Sequence, residues 1–377
     1  MEESGGLDAG AGTLGPAFQL VKQEELPPPE PLPPIGVEPA PLTPIPDLGI
    51  PALDLDGECV GCGDRPCVPG QGPCYPCEAD TRLGRFACGI YQAVCCPDPC
   101  YDPRWKAIAD SSFFTESARP VTQQRFRWDA GLNVVFPDRA EYFWAQDNGA
   151  GAGPPPVPPW LGERSVTYHD LSLYTETAVE RFSFFVEVPY RSVFPLDDPH
   201  AASFGDMNLG TKSLVFDCEL LQIALMFRTY IPVGNPFTGT GNGHVSLEPS
   251  LVFGLKLSPI SYLQAQIAEW IPLGGDPLYA GSLLNFRGSY NRVLFTPLPN
   301  VPVIGTFELM GWSFQAGAYT DPVLGTQPAN RSTYLSVGPG LRTVICDKVD
   351  FGVGAAFSLT QDHFAEQLIR SEFRYRY

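Results

Sequence analysis

Residues 364–377 end the chain with the sequence F-A-E-Q-L-I-R-S-E-F-R-Y-R-Y. The side chains of one parity are mostly apolar, namely Ile369, Ser371, Phe373, Tyr375 and Tyr377. Those of the other parity are charged, namely Glu366, Arg370, Glu372, Arg374 and Arg376. Because the side chains of a β-strand point alternately to opposite faces, one face of this strand suits hydrocarbon and the other suits water. Such a strand, ending on an aromatic residue, is typical of the closing strand of a transmembrane β-barrel. The alternative is an amphipathic edge strand of a soluble sandwich.

Twelve strand-like segments, of which this is the last, occupy the chain after Arg119. They are 123–136, 166–177, 179–190, 204–217, 219–231, 244–257, 261–271, 282–295, 304–318, 332–345, 348–360 and 364–377. Several alternate cleanly, so that in 244–257 Leu247 and Leu251 share one parity whereas Glu248 shares the other. This period of two predicts strands that present an apolar face and a polar face.

The connections between these segments alternate between long and short. The long ones are 137–165, 191–203, 232–243, 272–281 and 319–331, and the short ones lie near 177–179, 217–218, 258–260, 296–303 and 346–347, with a short final connection near 361–363. Short periplasmic turns and longer outer loops are typical of an outer-membrane barrel. Strict counting places Glu269 outward and leaves 304–318 ambiguous, so bulges are expected there.

Composition agrees with this fold and excludes other classes. The chain has 24 basic and 42 acidic residues, a net charge of −18, which opposes nucleic-acid binding. It contains no run of about 18 apolar residues, so we expect no transmembrane helix. The start, Met1-Glu-Glu-Ser-Gly-Gly, is acidic and has no apolar segment, so the barrel interpretation expects an export leader that is not part of this sequence. We predict an all-β fold, an antiparallel transmembrane β-barrel of about twelve strands, with no cofactor.

Three regions are predicted along the chain. Residues 1–57 are acidic and proline-rich, with eleven prolines between Pro27 and Pro51, and should form a disordered spacer. Residues 58–118 should form a Cys-rich periplasmic module, and residues 119–377 the barrel. A chain with an even number of strands has both ends on one side, so the module should hang on the periplasmic side.

Nine of the eleven cysteines lie in the Cys-rich module: Cys59, Cys62, Cys67, Cys74, Cys77, Cys88, Cys95, Cys96 and Cys100. Two Cys-x-x-Cys pairs are compatible with a four-thiolate zinc site in a cytosolic protein, and with a disulfide-stapled module in an exported one. Because export is inferred, disulfides are favoured.

Cys218 and Cys346 fall in short turns half a circumference apart, too far for a direct bond. Either or both could bond to the module, or both could be free thiols.

Several segments resemble a known family. They are F-R-W-D-A-G-L-N (126–133), F-P-D-R-A-E-Y-F-W-A (136–145), F-G-D-M-N-L-G-T-K (204–212) and the closing F-R-Y-R-Y. Over roughly residues 120–377 the chain resembles the bacterial outer-membrane transporters named for the meta-pathway of phenol degradation. The resemblance implies a porin-like barrel and the uptake of hydrophobic or aromatic compounds.

The polar parity of the strands assigns a set of charged residues to the pore lining. They are Arg125, Arg127, Asp129, Asp170, Arg181, Glu187, Asp206, Lys212, Arg228, Glu248, Lys256, Arg287, Arg342, Arg370, Glu372 and Arg374. Both signs occur, which predicts a mixed-charge, hydrated interior rather than an ion-selective ring. The alternative is that these residues pair and brace the barrel. Twelve strands predict a narrow or partly plugged lumen, and 137–165 could be a constriction or an outer cap.

The sequence therefore predicts a porin-like channel or transporter in the bacterial outer membrane, whose partners are lipid and small solutes. A structural anchor, whose N-terminal region binds cell wall or a periplasmic protein, is the second hypothesis, and a soluble two-sheet protein is the third. An enzyme is not expected: His200, His244 and His363 lie near acidic residues, but no G-x-S-x-G motif occurs.

Overall fold

The alternating segments form strands close to the predicted positions. The computed structural model describes residues 81–95, 105–141, 164–196, 199–321, 323–330, 332–361 and 363–377. The strands are β1 Gln123–Val135, β2 Ser165–Val179, β3 Phe182–Pro195, β4 Ala201–Phe204, β5 Met207–Asp217, β6 Leu221–Ile231, β7 Val245–Ser258, β8 Ser261–Leu273, β9 Leu283–Leu298, β10 Val301–Phe314, β11 Ala318–Asp321, β12 Gly325–Pro328, β13 Thr333–Ile345, β14 Val349–Ser358 and β15 Ala365–Arg376. One α-helix, α1, spans Arg82–Cys95, and short 3-10 helices span Ala107–Asp110, Arg139–Glu141 and Pro236–Thr238. None of the helices in the described ranges is long and apolar enough to cross a membrane.

Twelve of these strands close into an antiparallel β-barrel. Their order around the barrel is β1, β2, β3, β5, β6, β7, β8, β9, β10, β13, β14 and β15, and β15 pairs with β1. The short strand β4 continues the edge of β5 along β3, and β11 and β12 form a separate hairpin within the connection that follows β10. Closure satisfies the backbone groups that an open sheet would leave unpaired at its edges.

The C-terminal stretch closes the barrel as its pattern predicts. In the β1–β15 pair, Phe126 lies opposite Phe373 and Arg127 lies opposite Glu372. The two phenylalanine rings are about half exposed on the outer wall, whereas Arg127 and Glu372 are buried inside. The alternating pattern of residues 364–377 therefore sets which face of the last strand turns outward.

The outer wall of the barrel is apolar and the inner wall is polar, the reverse of a globular protein. Outward-facing side chains that are 38–56% exposed come from strands all around the barrel, including Phe126, Trp128, Phe184, Phe227, Leu251, Ile267, Phe307, Phe351 and Phe373. Such a wide apolar surface is what a hydrocarbon solvent requires and what water would disfavour. Glu269 faces outward near one end of β8, where it accepts a hydrogen bond from Gln315 (Nε2 to Oε2, 3.2 Å).

Connections at the two ends of the barrel differ in length, as predicted. The turn end carries short connections, at 180–181, 218–220, 259–260, 299–300 and 346–348. The loop end carries the longer ones, at 136–164, 232–244, 274–282, 315–332 and 359–364. Cys346 and Asp347 both have positive φ (50° and 58°), which is the conformation of a tight hairpin turn that matches strand twist. The register shifts between Val301 and Ile304 place a bulge in the strand that the sequence left ambiguous.

Helix α1 contacts the turn between β5 and β6. The backbone N–H of Leu220 donates to the carbonyl oxygen of Val94 (3.2 Å), and the ring of Tyr91 packs edge-on against Phe216 (6.4 Å between centroids). Cys218, in the same turn, is in a disulfide, whereas Cys346 is a free, exposed thiol. The other nine cysteines of the sequence lie between Cys59 and Cys100, so by elimination the partner of Cys218 is one of these nine.

Most of the N-terminal predictions lie outside the described residues. The proline-rich spacer falls there, as do Cys59, Cys62, Cys67, Cys74, Cys77, Cys96 and Cys100. Within the described part, Cys88 is buried in α1 and is disulfide-bonded.

Candidate functional site: the lumen of the barrel

The chain just before β1 runs through the interior of the barrel. Residues 110–118, here called the internal segment, are all buried. Their partners come from strands all around the wall: Gln264 of β8 and Glu308 of β10 on one side, and Arg125 of β1 and Arg228 of β6 on the other. The sequence predicts residues 58–118 to be the Cys-rich module, whereas residues 110–118 pack inside the barrel.

Inward-facing arginines hold the backbone of the internal segment. Arg374 donates to the carbonyl oxygens of Asp110 (2.7 Å) and Ser112 (3.1 Å), and Arg342 Nε donates to that of Ser111 (3.0 Å). Further along, Arg287 donates to Phe114 O (2.8 Å) and Arg370 to Phe113 O. A segment without secondary structure can be buried only if its backbone polar groups find such partners.

Glu308 of β10 binds the backbone donors of the same segment. Its two carboxylate oxygens accept from the N–H groups of Phe113 (2.6 Å) and Phe114 (2.9 Å). Hydrogen bonds from backbone N–H groups to a carboxylate are stronger than bonds between neutral groups. Glu308 is 2% exposed, so its removal would leave two buried N–H groups without a partner.

Glycines of β13 and β14 make room for the ring of Phe113. A Cβ atom placed on Gly340, Gly352 or Gly354 would come within 2.4–2.7 Å of that ring. The inward positions of these two strands are therefore small because an aromatic side chain from the internal segment occupies the space beside them. The guanidinium of Arg342 stacks on the same ring, 4.4 Å from its centroid.

Glu116 anchors the other end of the segment through ion pairs. Its carboxylate lies 3.1 Å from Arg125 Nη1 and 3.0 Å from Arg228 Nη2. Nearby, Glu176 lies 3.3 Å from Lys212 Nζ and 3.9 Å from Arg125 Nη2. These pairs span β1, β2, β5 and β6 and join the internal segment to that half of the wall.

Glu372 of the closing strand joins three arginines. It lies 3.3 Å from Arg127, 2.6 Å from Arg342 and 2.6 Å from Arg374, and all four side chains are nearly or fully buried. Arg374 also pairs with Asp110 of the internal segment (2.8 Å). A buried carboxylate shared by several arginines is stable only as a complete network.

Fifteen of the sixteen predicted pore-lining residues lie in the lumen. Besides the groups already described, Asp129 pairs with Arg370 (2.7 Å), Asp170 with Arg191 (2.7 Å) and Lys256 with Glu219 (2.6 Å). Glu248 accepts from Tyr230 Oη (2.5 Å), and Asp206 accepts from the N–H of Asn242 (2.8 Å). Arg181 is a correction: it lies exposed in the turn between β2 and β3, where strand alternation has ended.

Sequence reasoning missed several lumen carboxylates. Glu176 and Asp350 follow the inward parity of β2 and β14 and could have been found by extending the alternation. The bulge at the start of β10 shifts the alternation of its side chains, so the inward position of Glu308 could not be read from the sequence. Asp110 and Glu116 lie in the internal segment, whose sequence carries no periodic signal of burial.

A cavity of about 230 Å³ lies in the lumen between the internal segment and the loop end. Phe114 and Glu116 line it on the side of the internal segment, and Asn242 and His244 line it on the side of the loops. The walls on β1 to β6 carry the ion pairs Arg127–Glu187, Asp170–Arg191 and Glu116–Arg228. The wall on β8 to β10 is mostly apolar and contains Trp270, Arg287, Met310 and Trp312.

The first residues after β1 fold over the mouth of the barrel at the loop end. This mouth turn, residues 136–141, includes Asp138, which accepts from the N–H of Thr320 (3.1 Å), and Glu141, which accepts from the N–H of Asp276 (3.1 Å). Arg139 lies over the ring of Tyr319 (3.7 Å to the centroid) and donates to Ser332 Oγ (2.6 Å). Residues 142–163, the rest of the insert predicted as a constriction or cap, lie outside the described residues.

Burial changes the protonation of the mouth turn. Removal from water raises the pKa of Asp138 to about 7 and that of Glu141 to about 7, because a buried carboxylate loses its hydration. His244, whose Nδ1 lies 3.5 Å from Glu141 Oε2, has a pKa lowered by burial. Asp138 and Glu141 therefore change charge near neutral pH.

The histidines considered for catalysis have separate surroundings. His200 packs edge-on against Phe194, His244 lies beside Glu141, and His363 contacts the carbonyl oxygen of Gln361. The acidic neighbours Asp197, Asp198 and Asp362 lie outside the described residues. In the part of the chain that the structure describes, no group of three or more His, Cys, Asp or Glu side chains is arranged to hold a metal ion.

Comparison with known proteins finds similar solved structures but no sequence relative. No family model and no curated protein matches the chain, so the resemblance to the phenol meta-pathway transporters stays a prediction. The similar structures include the COG4313 outer membrane channel from Pseudomonas putida F1 (7% identity, TM-score 0.45, covering 71% of this chain and 99% of that one). They also include KdgM porin in complex with disordered oligogalacturonate (9%, 0.39, 68% and 99%) and LpxR from Salmonella typhimurium (9%, 0.38, 68% and 100%). The arrangement of side chains in the lumen, rather than these likenesses, is what bears on function.

Proposed function

We propose that this protein is an outer-membrane channel for the passive passage or uptake of small solutes, held closed by its internal segment. The observation that carries the proposal is a closed twelve-stranded barrel with an apolar outer wall, a charged inner wall and a cavity at the loop end. An apolar exterior requires a membrane, and a polar interior suits a hydrated path. Solutes of hydrophobic or aromatic character are the class that the family resemblance implies.

In this proposal the internal segment is a gate. Its backbone and its acidic side chains are bound by hydrogen bonds and ion pairs to groups that water could replace, while the rings of Phe113 and Phe114 pack among buried apolar side chains of the lumen. Polar contacts of this kind exchange for hydration at modest net cost. Withdrawal of the segment towards the turn end would join the cavity to that end of the barrel.

Conductance in planar lipid bilayers tests the proposal. The wild-type protein is expected to show small or infrequent channel steps. A Glu308→Gln/Glu116→Gln variant, which weakens the hold on the internal segment at both ends, is expected to show larger or more frequent ones. Exposed Glu366→Gln in β15 is the matched control and should behave as wild type. No steps in either the wild type or the double variant, with folding verified by heat-modifiable migration, would exclude a channel.

A structural anchor is the second candidate, and two observations favour it. The internal segment forms buried ion pairs within the lumen, and Cys218, in a turn of the barrel, is in a disulfide. A barrel that holds the envelope while its N-terminal region binds cell wall or a periplasmic protein has no need of a path. Such an anchor would remain silent in the bilayer and would retain the N-terminal region on cell-wall sacculi in a pull-down.

A further inference from the structure

The apolar wall of the lumen cavity contains one arginine without an acidic partner. Five arginines line the cavity, and four pair with carboxylates: Arg127 with Glu187, Arg191 with Asp170, Arg228 with Glu116 and Arg370 with Asp129. Arg287 has no carboxylate within ion-pair distance among the described residues. Its Nη1 donates to Phe114 O (2.8 Å), and its buried Nε has no hydrogen-bond partner there.

Apolar side chains lie on one side of this guanidinium, and polar ones, including Gln266 directly opposite on β8, lie on the other. Arg287 lies opposite Met310 in the β9–β10 pair, and Trp312 is the next inward residue along β10. Trp270, on the preceding strand, lines the same wall. Diagonal neighbours on one face of a sheet lie within reach of long side chains, so Arg287 and Trp312 can contact the same small molecule.

Residues that line the cavity also carry hydrogen-bond donors without a partner among the described residues. One is the indole N–H of Trp312, a residue that is 5% exposed. The Nε atoms of Arg127 and Arg228 also have no partner there. Buried donors in native proteins are nearly always satisfied, so donors of this kind beside one cavity favour an occupant that supplies acceptors.

We propose that this cavity binds a small organic carboxylate with a planar or apolar body. The carboxylate accepts hydrogen bonds from Arg287 and from Trp312 Nε1, and the body packs against Met310, Trp312 and Trp270. A guanidinium suits a carboxylate because its donors match the two oxygens. The proposal names what the channel would carry, and in that sense it rests on the proposed function, although binding is measured without transport.

Titration of the purified full-length protein in detergent micelles tests this site, by calorimetry and by tryptophan fluorescence. The probes are benzoate, benzamide and acetate, which separate the contribution of the negative charge to binding from that of the apolar ring. Benzoate is expected to bind at least tenfold more tightly than benzamide, which lacks the charge, and than acetate, which lacks the body. Titration of empty micelles corrects for partitioning into detergent.

Two variants locate the binding. Arg287→Gln should weaken the binding of benzoate at least tenfold and leave the binding of benzamide unchanged. Arg292 is an exposed arginine on the same strand, and Arg292→Gln should change the binding of neither compound. Trp312→Phe keeps an aromatic ring but loses the N–H, and should weaken benzoate several-fold. Equal binding of benzoate and benzamide to the wild type would overturn the proposal even if Arg287→Gln failed to fold. So would a folded Arg287→Gln variant with unchanged affinity for benzoate.

The two proposals fail separately. Benzoate binding to a protein without conductance would retain the site and reject the channel. Conductance without selective benzoate binding would retain the channel and reject the site.

Discussion

At the scale of single residues, the contents of the lumen explain positions that strand propensity alone would not select. Gly354 lies inside β14, where a glycine costs stability because it adds backbone entropy and packs no side chain. Its inward face, however, meets the ring of Phe113, and the three atoms nearest to an added Cβ all belong to that side chain, at 2.7–3.2 Å. Gly354 and Phe113 are therefore a matched pair.

Gly354→Ala should destabilise the barrel by about 1–3 kcal/mol, because the added methyl group displaces the Phe113 ring from a filled space. Combining it with Phe113→Ala should recover part of that loss, since the ring is then gone. Urea unfolding in lipid vesicles, followed by tryptophan fluorescence, measures both. The control is Gly288→Ala in β9, where the nearest atom to an added Cβ is 3.8 Å away. Additive losses in the double variant would contradict the pairing.

The network around Glu372 gives a prediction of another kind. Glu372→Gln leaves Arg127, Arg342 and Arg374 close together without the carboxylate that joins them. Removing one partner of a buried ion pair costs about 3–5 kcal/mol, because the remaining charge stays desolvated. The same unfolding experiment should show a loss of that order. Glu366→Gln, exposed on the same strand, should change stability by less than about 0.5 kcal/mol.

At the scale of elements, the strands could be predicted from the sequence and the internal segment could not. A strand with one face in water and one face in hydrocarbon shows a period of two, and β7 and β15 carry it almost without error. The internal segment is held by backbone carbonyl groups and by Glu308, and every residue has the same backbone groups to offer. Its burial therefore leaves no periodic pattern in its own side chains. The same reasoning holds for the cavity, because alternation assigns side chains to a face but cannot show which charges pair across the lumen.

The mouth turn gives a prediction about pH. Because burial raises the pKa of Asp138 and of Glu141 to about 7, the closed mouth binds protons that the open, solvated mouth releases at neutral pH. Closure is therefore favoured as the pH falls from 8 to 6, on the order of tenfold in the opening equilibrium for each group. The groups that face them are Arg139, His244, whose pKa is lowered by burial, and Asp276, whose negative charge further raises the pKa of Glu141.

Hydrogen exchange of residues 136–141, corrected for the intrinsic pH dependence, measures this effect. Protection should be higher at pH 6 than at pH 8 in the wild type. An Asp138→Asn/Glu141→Gln variant should show little difference between the two pH values, because its side chains no longer titrate. Greater protection at pH 8 in the wild type would show that the two carboxyl groups are not buried in the closed mouth.

At the scale of the whole molecule, the barrel holds the helix that precedes it. Helix α1 contacts the β5–β6 turn through Val94 and Tyr91, and Cys218 of that turn is in a disulfide. Only the nine residues 96–104 separate α1 from residue 105, where the described chain resumes before the internal segment. The hold on α1, and a disulfide tether from Cys218 to a cysteine among residues 59–100, should restrict how far the internal segment can move towards the turn end.

Cys218→Ser should release this tether. Closing a loop of more than a hundred residues by a disulfide contributes about 2–4 kcal/mol, chiefly by restricting the unfolded chain, so the urea midpoint should fall by a corresponding amount. If the internal segment is the gate, channel steps should also become more frequent, and a reductant should have the same effect on the wild type. Cys346→Ser is the matched control, because Cys346 is a free thiol in an equivalent turn and its replacement should change neither quantity.

Peptide mapping without reductant should find the peptide that contains Cys218 joined to one from residues 59–100. Finding Cys218 as a free thiol would remove the tether, and the stability of the α1 contact would then depend on Val94 and Tyr91 alone.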